Sequence, residues 1–427
     1  MKKVVHFPDR VASMRVYIEN HGCTNNQHLG ERLGGKLISR GCEITGNPRE
    51  AQVIVLNTCT VKARTERRML GRIRALQDIP GKRRLVVAGC MPTIQSDLIA
   101  ELAPDSLLYG TYEYDLIPDA LIGGARGEEP ENPMHHPGIG ICSISTGCQG
   151  TCTFCIVRLI KGRLRSFPEG RIIREIDSYR ERGAHEVWLT SQDLANYGNE
   201  MGTRKLPQLL GSVLEHAGTM KVRMGMMNPE NVTPILDELL EVYRDPRVYK
   251  FAHLPVQSGD DGILQDMGRR YCVDDWRAIV RDIRNEFPRF TISTDVIVGF
   301  PSEGEEQFRS TLSLIEETRP DIVNLSRYEH RPGTPASGMK ALQGSEVKRR
   351  SREATRLIAR VTGEVNDGWV GWSGRSLVSE SGSRGGVVAR NDFYKPIIIG
   401  EENELGSEIE LTIAEANENY LIGYRED

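Results

Sequence analysis

The run Ser145-Thr-Gly-Cys-Gln-Gly-Thr-Cys-Thr-Phe-Cys-Ile156 decides how this chain is read, because it places Cys148, Cys152 and Cys155 in one short loop behind a strand-like run, Ile141 to Ser145. Three thiolates spaced C-x-x-x-C-x-x-C can wrap a single metal centre. An iron–sulfur cube normally takes four cysteine ligands, so a loop that supplies three leaves one iron open to a cofactor or substrate. Two other uses of closely spaced cysteines fit less well. A structural zinc site closes its tetrahedron with a fourth cysteine or histidine, and between Gly138 and Gly183 the only further cysteine is Cys142, six residues upstream on an apolar run. A redox pair uses two thiols and has no role for a third.

Length and composition agree with an enzyme of several domains. At 427 residues the chain can hold about two to four sizeable cores. Nine cysteines spread over that length are not the dense framework of a small secreted domain, so reduced thiols in a reducing compartment are implied. Met1 to Met14 carries charge throughout, and no apolar stretch is long enough for a signal peptide or a membrane span. A soluble cytoplasmic protein is therefore expected, with no membrane partner. The net charge of −4 excludes nothing by itself, and the distribution of charge matters more.

Working outward from the cysteine loop, the sequence alternates short aliphatic runs with helix-compatible stretches. Arg15 to Asn20, Gln52 to Asn57, Arg84 to Ala88 and Ser106 to Tyr109 read as buried parallel strands, with Leu29 to Arg40 and Lys62 to Leu76 as helical crossovers. That pattern predicts a doubly wound α/β domain over residues 13–122. A Gly-, Pro- and charge-rich linker follows over 123–138. From 139 to 337, six strands are expected: Ile141 to Ser145, Glu186 to Thr190, Lys221 to Met226, Tyr249 to Leu254, Phe290 to Val298 and Ile322 to Arg327. Six βα units in series predict a partial (β/α)6 barrel with its site at the carboxyl ends of the strands. A basic helix, Glu346 to Arg360, lies in a linker over 338–365, and 366–427 has the short strands and glycine turns of a small β-barrel.

The remaining cysteines take their meaning from this map. Cys23 follows the first strand, Cys59 ends the second and Cys90 ends the third, so all three fall at one sheet edge, where loops of adjacent strands converge. Each taken alone reads as a small buried residue. Three at equivalent corners, flanked by Gly, Asn or Thr, read as a second three-thiolate site. Cys42, Cys142 and Cys272 lack such placement and read as packing residues.

The two triads, in this order, resemble the radical S-adenosylmethionine methylthiotransferase family over nearly the whole chain. The landmarks are GCTNN at Gly22 to Asn26, NTCTVK at Asn57 to Lys62, AGCMP at Ala88 to Pro92, STGCQGTCTFC at Ser145 to Cys155, LTSQDLANYG at Leu189 to Gly198, HLPVQSGDDGIL at His253 to Leu264, DVIVGFPSEGEEQF at Asp295 to Phe308 and RPGTPA at Arg331 to Ala336. The resemblance implies an N-terminal methylthiotransferase domain, a central radical domain and a C-terminal RNA-binding barrel of the TRAM type. RMGMMNP at Arg223 to Pro229 and RRYCVDDW at Arg269 to Trp276 are most similar to the archaeal and eukaryotic branch, which acts on tRNA N6-threonylcarbamoyladenosine beside the anticodon.

Two [4Fe-4S] clusters and S-adenosylmethionine are implied with it. Adenine carbon 2 has no acidic proton and no leaving group, so radical chemistry is needed to substitute it. By resemblance, the cluster on Cys148, Cys152 and Cys155 cleaves S-adenosylmethionine with an electron from an external donor, and the cluster on Cys23, Cys59 and Cys90 holds the sulfur that is added. The source of that sulfur is not legible, and no catalytic side chain is expected beyond the cluster ligands. The same chemistry on isopentenyladenosine in tRNA or on a ribosomal-protein aspartate stays open, as does a zinc-bearing RNA-binding protein without catalysis.

Further cofactor contacts are expected from strand ends: Ser191, Gln192 and Asp193 after the second barrel strand, Gln257 and Ser258 after the fourth, and Asp295 in the fifth. Loop and cap hydrogen bonding is the competing role for these. Gly299 would let backbone approach adenine closely, and Phe154 would flank adenine or pack. Three basic clusters offer a footprint for RNA: Lys62, Arg64, Arg67, Arg68, Arg72 and Arg74; Arg158, Lys161, Arg163, Arg165, Arg171 and Arg174; and Lys348, Arg349, Arg350, Arg352, Arg356 and Arg360. From Asn366 to Asp427, by contrast, five Lys or Arg face twelve Asp or Glu. To bind RNA, that barrel has to gather Arg375, Arg384, Arg390 and Lys395 on one face.

Overall fold

The structure is a computed structural model that describes residues 13–123, 138–383 and 385–425. It forms two compact units, one on either side of the stretch 124–137. Most of the expected linker, including His135 and His136, lies outside the described residues. Among the described residues no helix is long and apolar enough to cross a membrane.

The first unit is a five-stranded parallel sheet made of β1 (Arg15–Asn20), β2 (Glu43–Ile44), β3 (Val53–Thr58), β4 (Arg84–Gly89) and β5 (Leu107–Tyr109), in the order β2-β1-β3-β4-β5. Every residue of β3 is buried, as a central parallel strand covered on both faces requires. Alternation sends Val53 and Val55 to the core under helix Thr24–Ile38, through Leu33 and Leu37, and Ile54 and Leu56 to the core under helix Ala63–Gln77, through Met69, Ile73 and Leu76. The strand order reverses between β1 and β3, so a crevice opens at their carboxyl ends.

In the second unit, β6 (Ile139–Ser143) leads into a short antiparallel hairpin, β7 (Ser145–Thr146) with β8 (Arg165–Ser166), that brackets the cysteine loop. Next come β9 (Glu186–Thr190), β10 (Lys221–Met224), β11 (Phe251–His253), β12 (Thr291–Val298) and β13 (Ile322–Arg327). Two parallel sheets result, β10-β9-β6 and β11-β12-β13, and single parallel bridges, Val222 to Val248 and Met226 to His253, join them. Six strands in chain order thus form an open barrel.

Helix Gly344–Asp367 then leads to a closed barrel of β14 (Ser373–Ser381), β15 (Val387–Asn391), β16 (Pro396–Ile399), β17 (Glu408–Ala416) and β18 (Leu421–Arg425). It belongs to the same compact unit as the partial barrel. Its Asn391–Lys395 turn sits under the amino-terminal ends of the partial barrel's strands: Asp392 accepts from Lys221 Nζ at 2.6 Å and from the Lys250 backbone N–H at 2.7 Å. The Tyr394 ring meets Tyr249 and Phe251 with centroids 4.9 and 5.0 Å apart, and Lys395 pairs with buried Asp321 at 2.7 Å.

Candidate functional site

The cysteine loop is held at the carboxyl edge of the partial barrel by contacts from distant parts of the chain. Gly147 has φ +78°, and a Cβ there would collide with the Arg163 carbonyl, so only glycine turns the chain from β7 into the loop. Its N–H donates to Gln192 Oε1 at 2.7 Å. Farther along, the Thr153 N–H donates to the Met267 carbonyl at 2.9 Å, the Thr153 hydroxyl to the Asp266 carbonyl at 2.7 Å, and the Thr151 hydroxyl to the Gly268 carbonyl at 3.2 Å. All three sulfurs accept hydrogen bonds: Cys148 Sγ from the Gly150 N–H at 3.2 Å, Cys152 Sγ from Arg269 Nη1 at 3.1 Å, and Cys155 Sγ from the Val157 N–H.

Burial pushes the Cys148 thiol up to about 11, against the pull of the Gly150 N–H, and burial with the neighbouring Cys152 pushes Cys155 up to about 12. Desolvated, mutually repelling thiolates need a cationic centre to stay deprotonated. Among the described residues no three His, Cys, Asp or Glu side chains are grouped to hold a single metal ion. The donor chemistry fits a multi-iron group: three thiols on one loop, each already accepting an N–H donor of the kind that an Fe–S cluster's sulfurs also use. Close in sequence and space, Ser145 Oγ is buried without a partner.

The strand-end residues divide by where they point. Asp193 is buried and accepts from the Asn228 N–H at 3.0 Å and from Asn231 Nδ2 at 2.7 Å, while burial lifts its carboxyl to about 6. Its field reaches Cys148, as does that of Glu230. Asp295 Oδ1 meets His253 Nε2 at 3.0 Å and accepts from Asn324 Nδ2 at 2.9 Å, on the inner side of the barrel. Gln257 holds a left-handed φ of +71°, fixed by its N–H on the Asp295 carbonyl at 2.8 Å and by the Ile297 N–H on its own carbonyl at 2.9 Å. Such strain in a non-glycine residue persists only where surroundings enforce it, most often at functional sites.

Other expected contacts have local occupations. Ser191 Oγ accepts from the Asp193 N–H at 3.0 Å, and Ser258 Oγ lies 3.3 Å from the Thr311 hydroxyl, turned to the helix behind it. At Gly299, with φ +78°, the space a Cβ would need is taken by Val347. Phe154 packs with Ile263, Met267, Phe300 and Ala336. Sequence reasoning gave no role to Arg269, Asn228, Glu230 or Asn231. Asn228 Oδ1 is buried with no partner, and Arg204 fixes Asn231 through two bonds of 3.1 and 2.8 Å. The RMGMMNP run contains Asn228 as its penultimate residue and was the available signal.

In the first unit the other triad lies at the strand-order reversal. Cys23 occupies the N-cap position of helix Thr24–Ile38 after β1, Cys59 follows β3, and Cys90 opens a short helix after β4. A Cβ on Gly22, at φ +113°, would sit 2.8 Å from Cys59 Cβ, so the Cys23 and Cys59 loops touch there. Tyr114 is buried, and burial with Cys90 and Cys23 nearby pushes its hydroxyl well above its ordinary value. It donates to Asn57 Oδ1, which also accepts from Asn26 Nδ2 at 2.8 Å, and Asn57 Nδ2 donates to Asn20 Oδ1 at 3.0 Å. A buried polar lattice thus sets the loops that carry the thiols. Cys42 and Cys142 are core residues, and Cys272 caps helix Val273–Glu286.

Of the basic clusters, Arg64, Arg67 and Arg74 are exposed on one helix, while Arg72 is forked onto Glu19 and Arg68 reaches His21. Beside the cysteine loop Arg158, Arg163 and Arg165 are exposed, whereas Lys161 is buried. On the late helix Lys348, Arg352 and Arg356 form an exposed stripe at four-residue spacing, and Arg349, Arg350 and Arg360 are engaged with glutamates. The C-terminal barrel does not gather its cations. Arg390 stacks on Tyr394 and pairs with Glu380 at 2.7 Å, Lys395 is spent on Asp321, Arg375 pairs with Glu410, and Arg384 lies outside the described residues.

Comparison with known proteins agrees with this architecture. Residues 15–110 match the Uncharacterized protein family UPF0004 and residues 142–315 the Radical SAM superfamily. The chain is 38% identical to the "Probable threonylcarbamoyladenosine tRNA methylthiotransferase" of Pyrococcus horikoshii, over 96% of this chain and 99% of that one. It is 38% identical to the protein of the same name from Archaeoglobus fulgidus, over 96% and 98%. Among solved structures, it is similar to the radical S-adenosylmethionine methyltransferase TsrM of Kitasatospora setae with cobalamin and a [4Fe-4S] cluster bound, at a TM-score of 0.54 and 14% identity over 76% of this chain and 77% of that one. That likeness is one of fold.

Proposed function

Because the chain belongs to the threonylcarbamoyladenosine tRNA methylthiotransferase family, we propose that it converts N6-threonylcarbamoyladenosine beside the anticodon of tRNA to its 2-methylthio derivative. The observation that carries the division of labour is the placement of two cysteine triads, each at the carboxyl edge of its own parallel sheet.

On this reading Cys148, Cys152 and Cys155 hold a [4Fe-4S] cluster, and Cys23, Cys59 and Cys90 hold a second. With S-adenosylmethionine bound, the first supplies one-electron cleavage of the sulfonium, the source of a radical able to remove the hydrogen of adenine carbon 2. Gln192 holds the loop's entry through the Gly147 N–H. Asp193, Asn228 and Glu230 present acceptors to the ammonium group of the methionine part, and Asp295 with Asn324 faces the ribose side of the barrel. Gln257, Ser258, Ser191, Phe154 and Gly299 shape the walls around them. In the first unit, the Asn20, Asn26, Asn57 and Tyr114 lattice ties the Cys23 corner to the end of the strand before Cys59, so that a sulfur held there would sit at a fixed point. The exposed arginines at 158, 163 and 165 lie next to the first triad, where phosphates of the reacting nucleotide's strand would pass. An external electron donor and a sulfur source complete the reaction, in the cytoplasm where tRNA is modified.

Mass spectrometry of tRNA nucleosides from cells with and without the gene tests the substrate. Loss of the 2-methylthio-threonylcarbamoyl species is expected; its persistence, with loss of a methylthio-isopentenyl species or of a modified ribosomal-protein aspartate instead, would sink the assignment. For the two triads, Cys152→Ala should abolish S-adenosylmethionine cleavage, whereas Cys59→Ala should still cleave it and fail to add sulfur. Anaerobically purified protein that is colourless and carries zinc would refute both clusters.

A further inference from the structure

Arg269 donates a hydrogen bond from its guanidinium to Cys152 Sγ, a partner 117 positions away in the chain. Each edge of its guanidinium has an assigned acceptor. Nη1 donates to Cys152 Sγ at 3.1 Å, Nη2 to the Pro255 carbonyl at 3.1 Å, and Nε to the Tyr271 hydroxyl at 3.0 Å. Tyr271 is itself buried, with its hydroxyl 2.9 and 2.8 Å from the carbonyls of Pro255 and Val256. The guanidinium plane is thereby fixed, and one N–H is aimed at the middle cysteine of the triad.

Packing alone does not explain this choice of residue. The loop is already fastened to the same segment by three hydrogen bonds from Thr151 and Thr153. A partly buried cation beside a thiolate adds what those neutral bonds cannot, a field that favours extra negative charge on the group the thiolate binds.

We propose that Arg269 is a positioning residue that raises the reduction potential of the cluster held by Cys148, Cys152 and Cys155, through a charge-assisted N–H···S bond to Cys152. The inference rests on the reading that this loop carries a cluster. Reduction puts one more negative charge on the cluster, and a fixed positive charge at hydrogen-bond distance stabilises the reduced state over the oxidised one. Lysine would retain the charge without the three-way fork that aims it. Tyr271→Phe removes the acceptor that orients Nε and leaves the charge in place.

The test is an anaerobic redox titration of the reconstituted full-length protein, following the paramagnetic resonance signal that changes when S-adenosylmethionine is added, with iron content measured on the same samples. Arg269→Gln is expected to make that cluster harder to reduce, by about tenfold in the reduced-to-oxidised ratio at fixed potential, which for one electron is about 59 mV. Arg269→Lys and Tyr271→Phe should shift it less, in the same direction. An Arg269→Gln protein with full iron and an unchanged midpoint overturns the proposal. If that variant loses its iron, Arg269→Lys decides: a retained cluster at the wild-type midpoint overturns it. Loss of iron from both, with circular dichroism unchanged, overturns it too and makes Arg269 a brace of the loop. Wild-type protein that takes up no iron on Cys152 fails differently, because it removes the cluster reading and this role with it.

Discussion

Ionised Asp193 should destabilise the metal-free protein at neutral pH, and Asp193→Asn should remove that pH-dependent cost. The carboxyl is buried and its pKa is raised from 3.8 to about 6, first by desolvation and against the hydrogen bonds from Asn228 and Asn231. Because the folded value lies above the unfolded one, the folded state holds this proton to higher pH. Its contribution is therefore fully favourable below about pH 4, is lost as pH climbs to about 6, and stays lost above that. A shift of that size corresponds to about 3 kcal/mol at most. Asparagine carries no charge, and the one N–H bond it gives up, from Asn228 or Asn231, is a cost that does not vary with pH, so the pH dependence of the difference isolates the charge. Equilibrium urea unfolding followed by tryptophan fluorescence is a suitable assay, because Trp188, Trp276, Trp369 and Trp372 all lie in the second unit with Asp193. Relative to wild type, the variant is expected to gain about 2 to 3 kcal/mol between about pH 4 and about pH 6 and to hold that gain above it. A stability difference that does not change with pH, or that moves against the variant as pH rises, would refute the reasoning. The same variant should bind S-adenosylmethionine more weakly, since a buried carboxylate kept at a cost to stability is the kind that serves a ligand.

Gly147→Ala places a methyl group against the Arg163 carbonyl in a left-handed turn, so iron uptake after reconstitution should fall sharply while far-ultraviolet dichroism is retained. Arg350→Ala leaves the fully buried Glu303 carboxylate without its 2.8 Å partner and should cost about 3 to 5 kcal/mol, read as a lowered unfolding midpoint; a change within error would show that water reaches Glu303. Replacing Arg158, Arg163 and Arg165 by glutamine should weaken tRNA binding and reduce the slope of log affinity against log salt by about one per arginine that meets a phosphate, whereas Arg375→Gln, already paired with Glu410, should leave the slope unchanged.

Where the chain is governed by local pattern, the sequence was enough. The strand ranges Arg15–Asn20, Glu186–Thr190 and Ile322–Arg327 are those read from their aliphatic runs. Helix Thr24–Ile38 begins five residues earlier than its apolar periodicity, which starts at Leu29, because Asn25 and Asn26 are buried for polar reasons, Asn26 in the lattice that holds the Cys59 loop. Strand β2 has two exposed residues and no apolar signal, and β7 and β8 are two residues each, so their pairing is a consequence of the loop they close. The placement of Cys23, Cys59 and Cys90 at the ends of neighbouring strands was legible because the aliphatic runs before them mark those strands. Arg269 was not, since its meaning is a contact across 117 residues, and an arginine in a basic sequence carries no mark of its partner. The cations of the C-terminal barrel misled in the same way: Arg390 and Lys395 look like RNA contacts in sequence, and in space they are buried against Glu380, Tyr394 and Asp321.

Both triads obey one geometric rule, applied to two different sheets. In the partial barrel the three thiols come from a single loop, because one β-strand end and a two-residue hairpin suffice to curl a short segment at the mouth. In the first unit they come from three loops, 36 and 31 residues apart, and that separation is what a parallel sheet of order β2-β1-β3-β4-β5 demands. Strands β1 and β3 are neighbours whose following chains leave in opposite senses, Thr24–Ile38 to one face and Ala63–Gln77 to the other, so the crevice between them cannot be lined by consecutive residues. A centre placed there has to be gripped by strand ends that meet only in the folded sheet. The buried lattice of Asn20, Asn26, Asn57 and Tyr114 follows from the same constraint: Asn57 at the end of β3 ties the corner flanked by Asn20 and Asn26 to Tyr114 beyond β5, by hydrogen bonds where apolar side chains would have left these segments to move independently. A centre on Cys23, Cys59 and Cys90 would therefore have to wait for the first unit to fold, whereas the single loop of the partial barrel has all three of its thiols within eight residues of chain.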